Sequence, residues 1–293
     1  MKHRSHIALG PWLVLLAAIL WGTTGTAQAM APPGAQPVMV GTARIAVGGL
    51  GLLALAAARR SLFKGGRWPL TATVIAAACM AAYQLFFFAG VARTGVAVGT
   101  VVGIGSSPIL AGVIGFLIRG EKPGRQWAIA TALAVLGCSL LVSAGRSIQV
   151  DPLGLLLATG AGAAYASFTV ASKSLLEDRP PETVMAVVFC AGALFLLPLI
   201  FTADLTWLAQ PRGLAVALHL GLVTVAIAYT LFAHGLSQVP VATAATLTLA
   251  EPLTAGMLGV FFLGERLTAL AGIGIFLIFA GLALISVNWK FAP

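Results

Sequence analysis

Residues 108–122 read PILAGVIGFLIRGEK, and residues 252–266 read PLTAGMLGVFFLGER. Sliding the chain on itself by 144 positions lays Pro108, Ala111, Gly112, Gly115, Gly120, Glu121 and Lys122 on Pro252, Ala255, Gly256, Gly259, Gly264, Glu265 and Arg266. The same offset puts Pro37 on Pro181, Gly137 on Gly281 and Trp21 on Tyr165. One offset shared by several separated elements is the mark of duplication. The chain therefore divides into two like units, 1–146 and 147–293.

Composition says where these units sit. Of the 293 residues 59% are hydrophobic and 9% charged, with mean hydropathy +1.01. A water-facing domain carries roughly a quarter charged residues, so a soluble fold is excluded and an all-α integral membrane protein is expected. A spanning helix needs about 20 apolar residues. Ten such runs lie near 8–29, 37–58, 69–91, 95–118, 126–144, 153–174, 183–202, 212–233, 240–263 and 268–288, which leaves no room for a separate soluble domain. Lys2 and Arg4 before the first run, and Ala27-Gln28-Ala29 near its end, also suit a signal peptide. The run is longer than a usual signal core and has a counterpart in the second unit, so it is read as a span.

Five spans per unit is an odd number, which forces the second copy to cross the membrane in the opposite sense. Inverted-topology repeats are typical of secondary transporters, whose substrate site lies near the bilayer midplane between the repeats. A channel can be built from inverted repeats too.

With the N-terminus inside, Arg93, Arg146, Arg212 and Arg266 fall in outer segments, Arg44 falls within a span, and the other 12 of the 17 Lys and Arg residues fall in inner segments. This satisfies the positive-inside rule with both termini cytoplasmic. It also accounts for the net charge of +9 without nucleic acid as a partner. Trp12, Trp68, Trp127, Trp207 and Trp289 mark span ends. Three cysteines inside apolar runs fit no closed disulfide framework.

The doubled Pro-to-Gly-Glu segment, the Leu20-Trp21-Gly22 of the first span and Arg44 in the second together resemble the EamA family of the drug/metabolite transporter superfamily, over essentially the whole chain. The resemblance implies a ten-helix bundle of two inverted five-helix repeats in a bacterial inner membrane, exporting or exchanging amino acids and other small metabolites. Within the family the chain is most similar to bacterial exporters of aromatic and other neutral amino acids. The family often has Glu-Pro in both repeats. Here the second keeps Glu251-Pro252, and the first reads Ser107-Pro108.

Glu251 is the only acid well inside a span. A carboxylate there is costly unless paired, hydrated or protonated. It is expected either to respond to protons or bind a substrate amine, or to serve helix geometry beside Pro252. Arg44 either meets a substrate carboxylate or snorkels to the headgroups. In the third span Met80, Tyr83, Gln84 and Phe87 share a face that should point into the bundle, as cavity lining or as core. Trp21 with Thr24, and Tyr165 with Ser167 and Thr169, supply aromatic and hydroxyl groups from equivalent places, which suits a small amphiphilic solute. Ser106 beside the Pro108 bend, and Thr246 in the ninth span, extend this set. Pro108 and Pro252 are candidate hinges for alternating access, and His219 is a candidate pH sensor or a satisfied structural donor. The two Gly-Glu-[Lys/Arg] corners cap neighbouring helices or gate by pairing.

Phosphate-loop, zinc-protease and nucleophile-elbow motifs are absent, as are Cys/His clusters with zinc spacing. No cofactor, metal or catalytic residue is therefore expected. The expected function is a secondary transporter in the lipid bilayer, with the oligomeric state open and a monomer compatible with the sequence. A passive facilitator or channel, and an intramembrane enzyme, are the alternatives.

Overall fold

The computed structural model describes residues 9–66, 68–143, 151–200, 204–263 and 268–287. Ten apolar helices organise them. α1 is Leu9–Gly22 continued by Thr24–Ala29, and α2 is Pro37–Ala58. α3 (Leu70–Thr94) and α4 (Val98–Arg119) are limbs of one uninterrupted helical segment. α5 is Arg125–Ser143, α6 is Pro152–Leu175 and α7 is Pro181–Ile200. α8 is Pro211–Leu236, α9 is Val241–Leu247 continued by Ala250–Leu263, and α10 is Ala269–Val287. Nine are long and apolar enough to cross a bilayer, while the apolar part of α5, Arg125–Leu141, is shorter.

Local chemistry sets the ends. Pro37, Pro152 and Pro211 open their helices at a position whose N–H would be unpaired anyway. Asp151 caps α6 by accepting from the Gly154 N–H at 2.8 Å and faces Arg93 at 3.5 Å. The Gly154 N–H above all, with Arg93, holds its carboxyl below the usual carboxylate range. α4 stops at Gly120, whose left-handed φ of 67° suits a residue without Cβ.

α3 and α4 form a hairpin. In a straight helix residues eight apart are about 12 Å apart, yet a Cβ added to Gly99 would lie 2.9 Å from the Val91 Cα, and one on Gly103 would lie 3.5 Å from Phe87. The chain reverses between Thr94 and Val98.

The pairing of helices follows the duplication. α2 packs on α7 and α5 on α10, each against its repeat counterpart. α1 packs on α8 and α9, and α6 packs on the α3–α4 hairpin. Exchanging the two units converts one of these contacts into the other, so the fold is two five-helix repeats that complete one another.

Small residues bring backbones into contact where helices cross, as expected when lipid supplies no hydrophobic drive between helices. At the α5–α10 seam, a Cβ on Gly137 would lie 2.6 Å from the Gly274 carbonyl oxygen, and one on Gly274 would lie 2.6 Å from that of Gly137. Gly137→Val forces two rigid backbones apart. It is expected to destabilise the fold by at least ~1–3 kcal/mol, the usual overpacking range, read as a lower thermal midpoint in detergent; an unchanged midpoint would refute the close crossing.

Candidate functional site

The site begins with two prolines. Pro108 in α4 and Pro252 in α9 have no N–H, so the carbonyls four residues earlier, Ile104 and Thr248, lose their helical partner. Inside a bilayer such a carbonyl must find another donor. In α4 the Ser107 hydroxyl donates to the Ile104 carbonyl at 2.8 Å, and the helix runs on through Pro108. In α9 the Glu251 backbone N–H donates to the Thr248 carbonyl at 2.9 Å and the Leu249 N–H to that of Thr246 at 3.1 Å. These tighter bonds interrupt α9 between Leu247 and Ala250. The Glu251 side chain is left in the first turn of the second half-helix, where the positive end of the helix dipole favours a carboxylate.

Both bends open on one cavity of about 20 Å³, lined by Tyr83, Gly103, Ile104, Ser107, Tyr165, Thr248 and Glu251. That is room for about one water. Ile104 and Thr248 are repeat counterparts, as are Ser107 and Glu251. Tyr83 and Tyr165 bring α3 and α6 to its wall, with ring centroids 5.6 Å apart. Glu251 is half-buried and, among the described residues, has no ion-pair partner within 4 Å.

Arg44 is partly buried in α2, and its buried Nε has no hydrogen-bond partner among the described residues.

Several expected lining residues sit elsewhere. Trp21 is 3% exposed, donates from Nε1 to the Thr224 carbonyl at 2.8 Å, and packs on Tyr229 and Phe232 at 4.7 and 5.4 Å. Its indole is fully engaged with α8, away from the cavity. Met80 is buried in the core cluster beside Gly192 of α7. Gln84 is buried with its Oε1 near Gly41 of α2. Ser106 abuts Gly162 of α6 and donates to Gly103 at 3.4 Å. Thr246 is buried and shares a 2.7 Å hydrogen bond with Thr131 of α5. Thr24 Oγ1 is buried without a partner and does not line the cavity. His219 meets the Thr23 hydroxyl at 2.9 Å, joining α8 to α1. It lies at the start of a π-helical stretch, His219–Ile227, which carries the Thr224 carbonyl to Trp21.

Ser107, Ile104 and Thr248 were missing from the expected set. The repeat offset contained them: Glu251 maps to Ser107, and one turn earlier Thr248 maps to Ile104. Trp21 and Tyr165, equivalent by the offset, each meet a tyrosine of the opposite repeat, Trp21 with Tyr229 of α8 and Tyr165 with Tyr83 of α3, though Tyr83 itself falls on Ile227.

One end of the bundle is tied by ions. Glu121, just past α4, accepts from the Val241 N–H at 2.7 Å, capping α9, and from Arg119 Nε at 3.1 Å. Lys173 of α6 approaches Glu121 at 3.7 Å and donates to the Val239 carbonyl. Arg119 continues to Glu177 at 2.7 Å and Ser174 at 3.0 Å. Trp127 Nε1 donates to the Ala242 carbonyl at 3.0 Å. The counterpart corner at Gly264, Glu265 and Arg266 lies outside the described residues.

A duplicated helical bundle with a cavity between its repeats, lined by a carboxylate that makes no ion pair among the described residues, has the make-up of a membrane transporter. The chain belongs to the EamA-like transporter family, whose model matches residues 8–143 and 152–287. It is 47% identical over 274 residues, 93% of this chain and 92% of the other, to the uncharacterized transporter YwfM of Bacillus subtilis. It is 36% identical over 141 residues, 46% of each chain, to the threonine/homoserine exporter RhtA of Escherichia coli. A crystal structure 22% identical in sequence superposes with a TM-score of 0.81, covering 94% of this chain and 95% of the other, and shows the same fold.

Two threonines on α9 separate packing from lining. Thr246→Val loses the bond to Thr131 and is expected to cost ~1 kcal/mol of stability, with the ranking of transported substrates unchanged. Thr248→Val alters the cavity wall and is expected to change that ranking. Thermal midpoints and competition assays on the two variants check both expectations.

Proposed function

We propose that the chain is a secondary transporter exporting small organic metabolites, amino acids including aromatic ones foremost, by alternating access through the cavity between two oppositely oriented repeats. The observation that supports this is Glu251, a carboxylate on the cavity wall with no ion-pair partner among the described residues, in a bundle whose other charge inside a span is Arg44. An unpaired buried charge is costly, and a zwitterionic solute supplies both missing partners. Its carboxylate meets the guanidinium and its ammonium meets Glu251, while Tyr83 and Tyr165 offer aromatic surface.

Small amphiphilic organic solutes suit this wall better than inorganic ions, which are selected by rings of carbonyls or charges. A cavity of about 20 Å³ is too small for an amino acid and must widen to take one, as a carrier site does when it opens to one side. The break in α9 and the Pro108 bend in α4 supply the pivots. The Glu121 network closes the cytoplasmic end, with both termini on that side of a bacterial inner membrane and export as the direction. A monomer contains the complete pathway.

Proteoliposomes loaded with labelled amino acid are expected to show saturable flux accelerated by substrate on the opposite side. Linear flux without exchange would sink the carrier reading and favour a facilitator or pore. Glu251→Gln and Arg44→Ala are each expected to lower transport at least about tenfold, the equivalent of 1.4 kcal/mol, while the protein still folds; retained wild-type flux in both would remove the zwitterion site.

Glu121→Ala is expected to loosen the end of α9. A cysteine placed at Ala245, buried in wild type, should then react faster with an impermeant maleimide applied from the cytoplasmic side. Equal rates in the two backgrounds would show that Glu121 does not hold the closure.

A further inference from the structure

The offset that relates the repeats places Ser107 on Glu251 and Ile104 on Thr248, and all four line the same cavity. Two equivalent positions therefore face one space, and only one of them carries a carboxylate. The reason Ser107 is tolerated lies in the backbone. Its hydroxyl is committed to the Ile104 carbonyl that Pro108 leaves without a donor, so it adds neither a charge nor a free donor to the cavity. Ser107 is 2% exposed.

The charge balance of the site follows. Of the residues that line the cavity Glu251 alone is charged, and Arg44 is the cation that the sequence places within a span. One guanidinium stands against one carboxylate. A zwitterion adds one charge of each sign and leaves the site neutral. A dibasic amino acid brings a second cation into a low-dielectric space holding no second acid, where an uncompensated charge is strongly disfavoured. A second carboxylate at position 107 would provide for it.

We propose that Ser107 is a specificity-determining residue: by leaving the first-repeat position uncharged, it holds the cavity at a single carboxylate and restricts transport to amino acids of zero net charge, excluding dibasic ones. The inference rests on the amino-acid reading above and adds a rule for which amino acids pass. It differs from a purely structural role for Ser107, in which its hydroxyl secures the Ile104 carbonyl and the charge at the position is immaterial.

The test is counterflow in proteoliposomes of the full chain, with labelled phenylalanine and labelled lysine as the probes. Wild type is expected to carry phenylalanine and to discriminate against lysine. Ser107→Glu and the shorter Ser107→Asp are each expected to raise the lysine-to-phenylalanine ratio at least about tenfold, a modest fraction of the burial cost of one charge. Ser107→Ala, which loses the hydroxyl without adding charge, is expected to keep the wild-type ratio. Should both acidic variants fail to give a monodisperse, thermally cooperative protein, Glu251→Ser reads the same rule from the second repeat. With Arg44 the remaining charge, labelled glutamate is expected to gain on phenylalanine at least about tenfold.

An unchanged ratio in folded variants overturns the inference alone. The same shift in Ser107→Ala, or lysine transport by wild type comparable to that of phenylalanine, also overturns it alone. Wild-type vesicles that carry neither label overturn the amino-acid reading and this inference with it.

Discussion

In a bilayer core there is no water to accept or donate a hydrogen bond, so every backbone carbonyl released by a proline must be answered from within the protein. This protein meets that demand twice and differently. A serine hydroxyl answers in α4 and keeps the helix whole, while a backbone N–H answers in α9 and breaks it. The break presents Glu251 at the start of a half-helix, where a carboxylate can be held in a membrane. The position of the charge and the asymmetry of the cavity follow from the choice of donor.

The remaining ionised groups are sorted by what surrounds them. Arg119, Glu121, Lys173 and Glu177 lie at the ends of helices, close enough to satisfy one another. Coulomb energies there are moderated by nearby water. Arg44 and Glu251 lie within spans and are not joined to one another by an ion pair.

Much of this was legible in the sequence, and the illegible part has a common cause. The doubled segment gave the repeat, the apolar runs gave ten helices, and Arg44 and Glu251 stood out because a charge inside a span has few reasons to be there. The lining residues were harder. Trp21, Ser106 and Thr246 have the right chemistry, but whether a polar group faces a cavity or a neighbouring helix depends on rotation about the helix axis. That rotation is fixed by partners distant in sequence: Thr224 for Trp21, Gly162 for Ser106 and Thr131 for Thr246. A π-helical stretch in α8 shifts its register further from simple periodicity. Ser107 stood out in the sequence as the counterpart of Glu251, but its place on the cavity wall depends on how α4 is rotated against its neighbours.

The exchange of partners between repeats also bears on how the molecule is made. α1 leans on α8 and α9, and the α3–α4 hairpin leans on α6, so neither half owns the helices that cover its own inner face. Among the described residues the ring partners of Trp21, Tyr229 and Phe232, belong to the second repeat. Chains emerge from the ribosome N-terminus first. The first five helices must therefore wait in the membrane with the Trp21 indole and the small-residue seams of α2 and α5 turned to lipid or to an insertion partner. Their packing closes only when α6 to α10 arrive, so the second repeat acts as the template on which the first completes its fold.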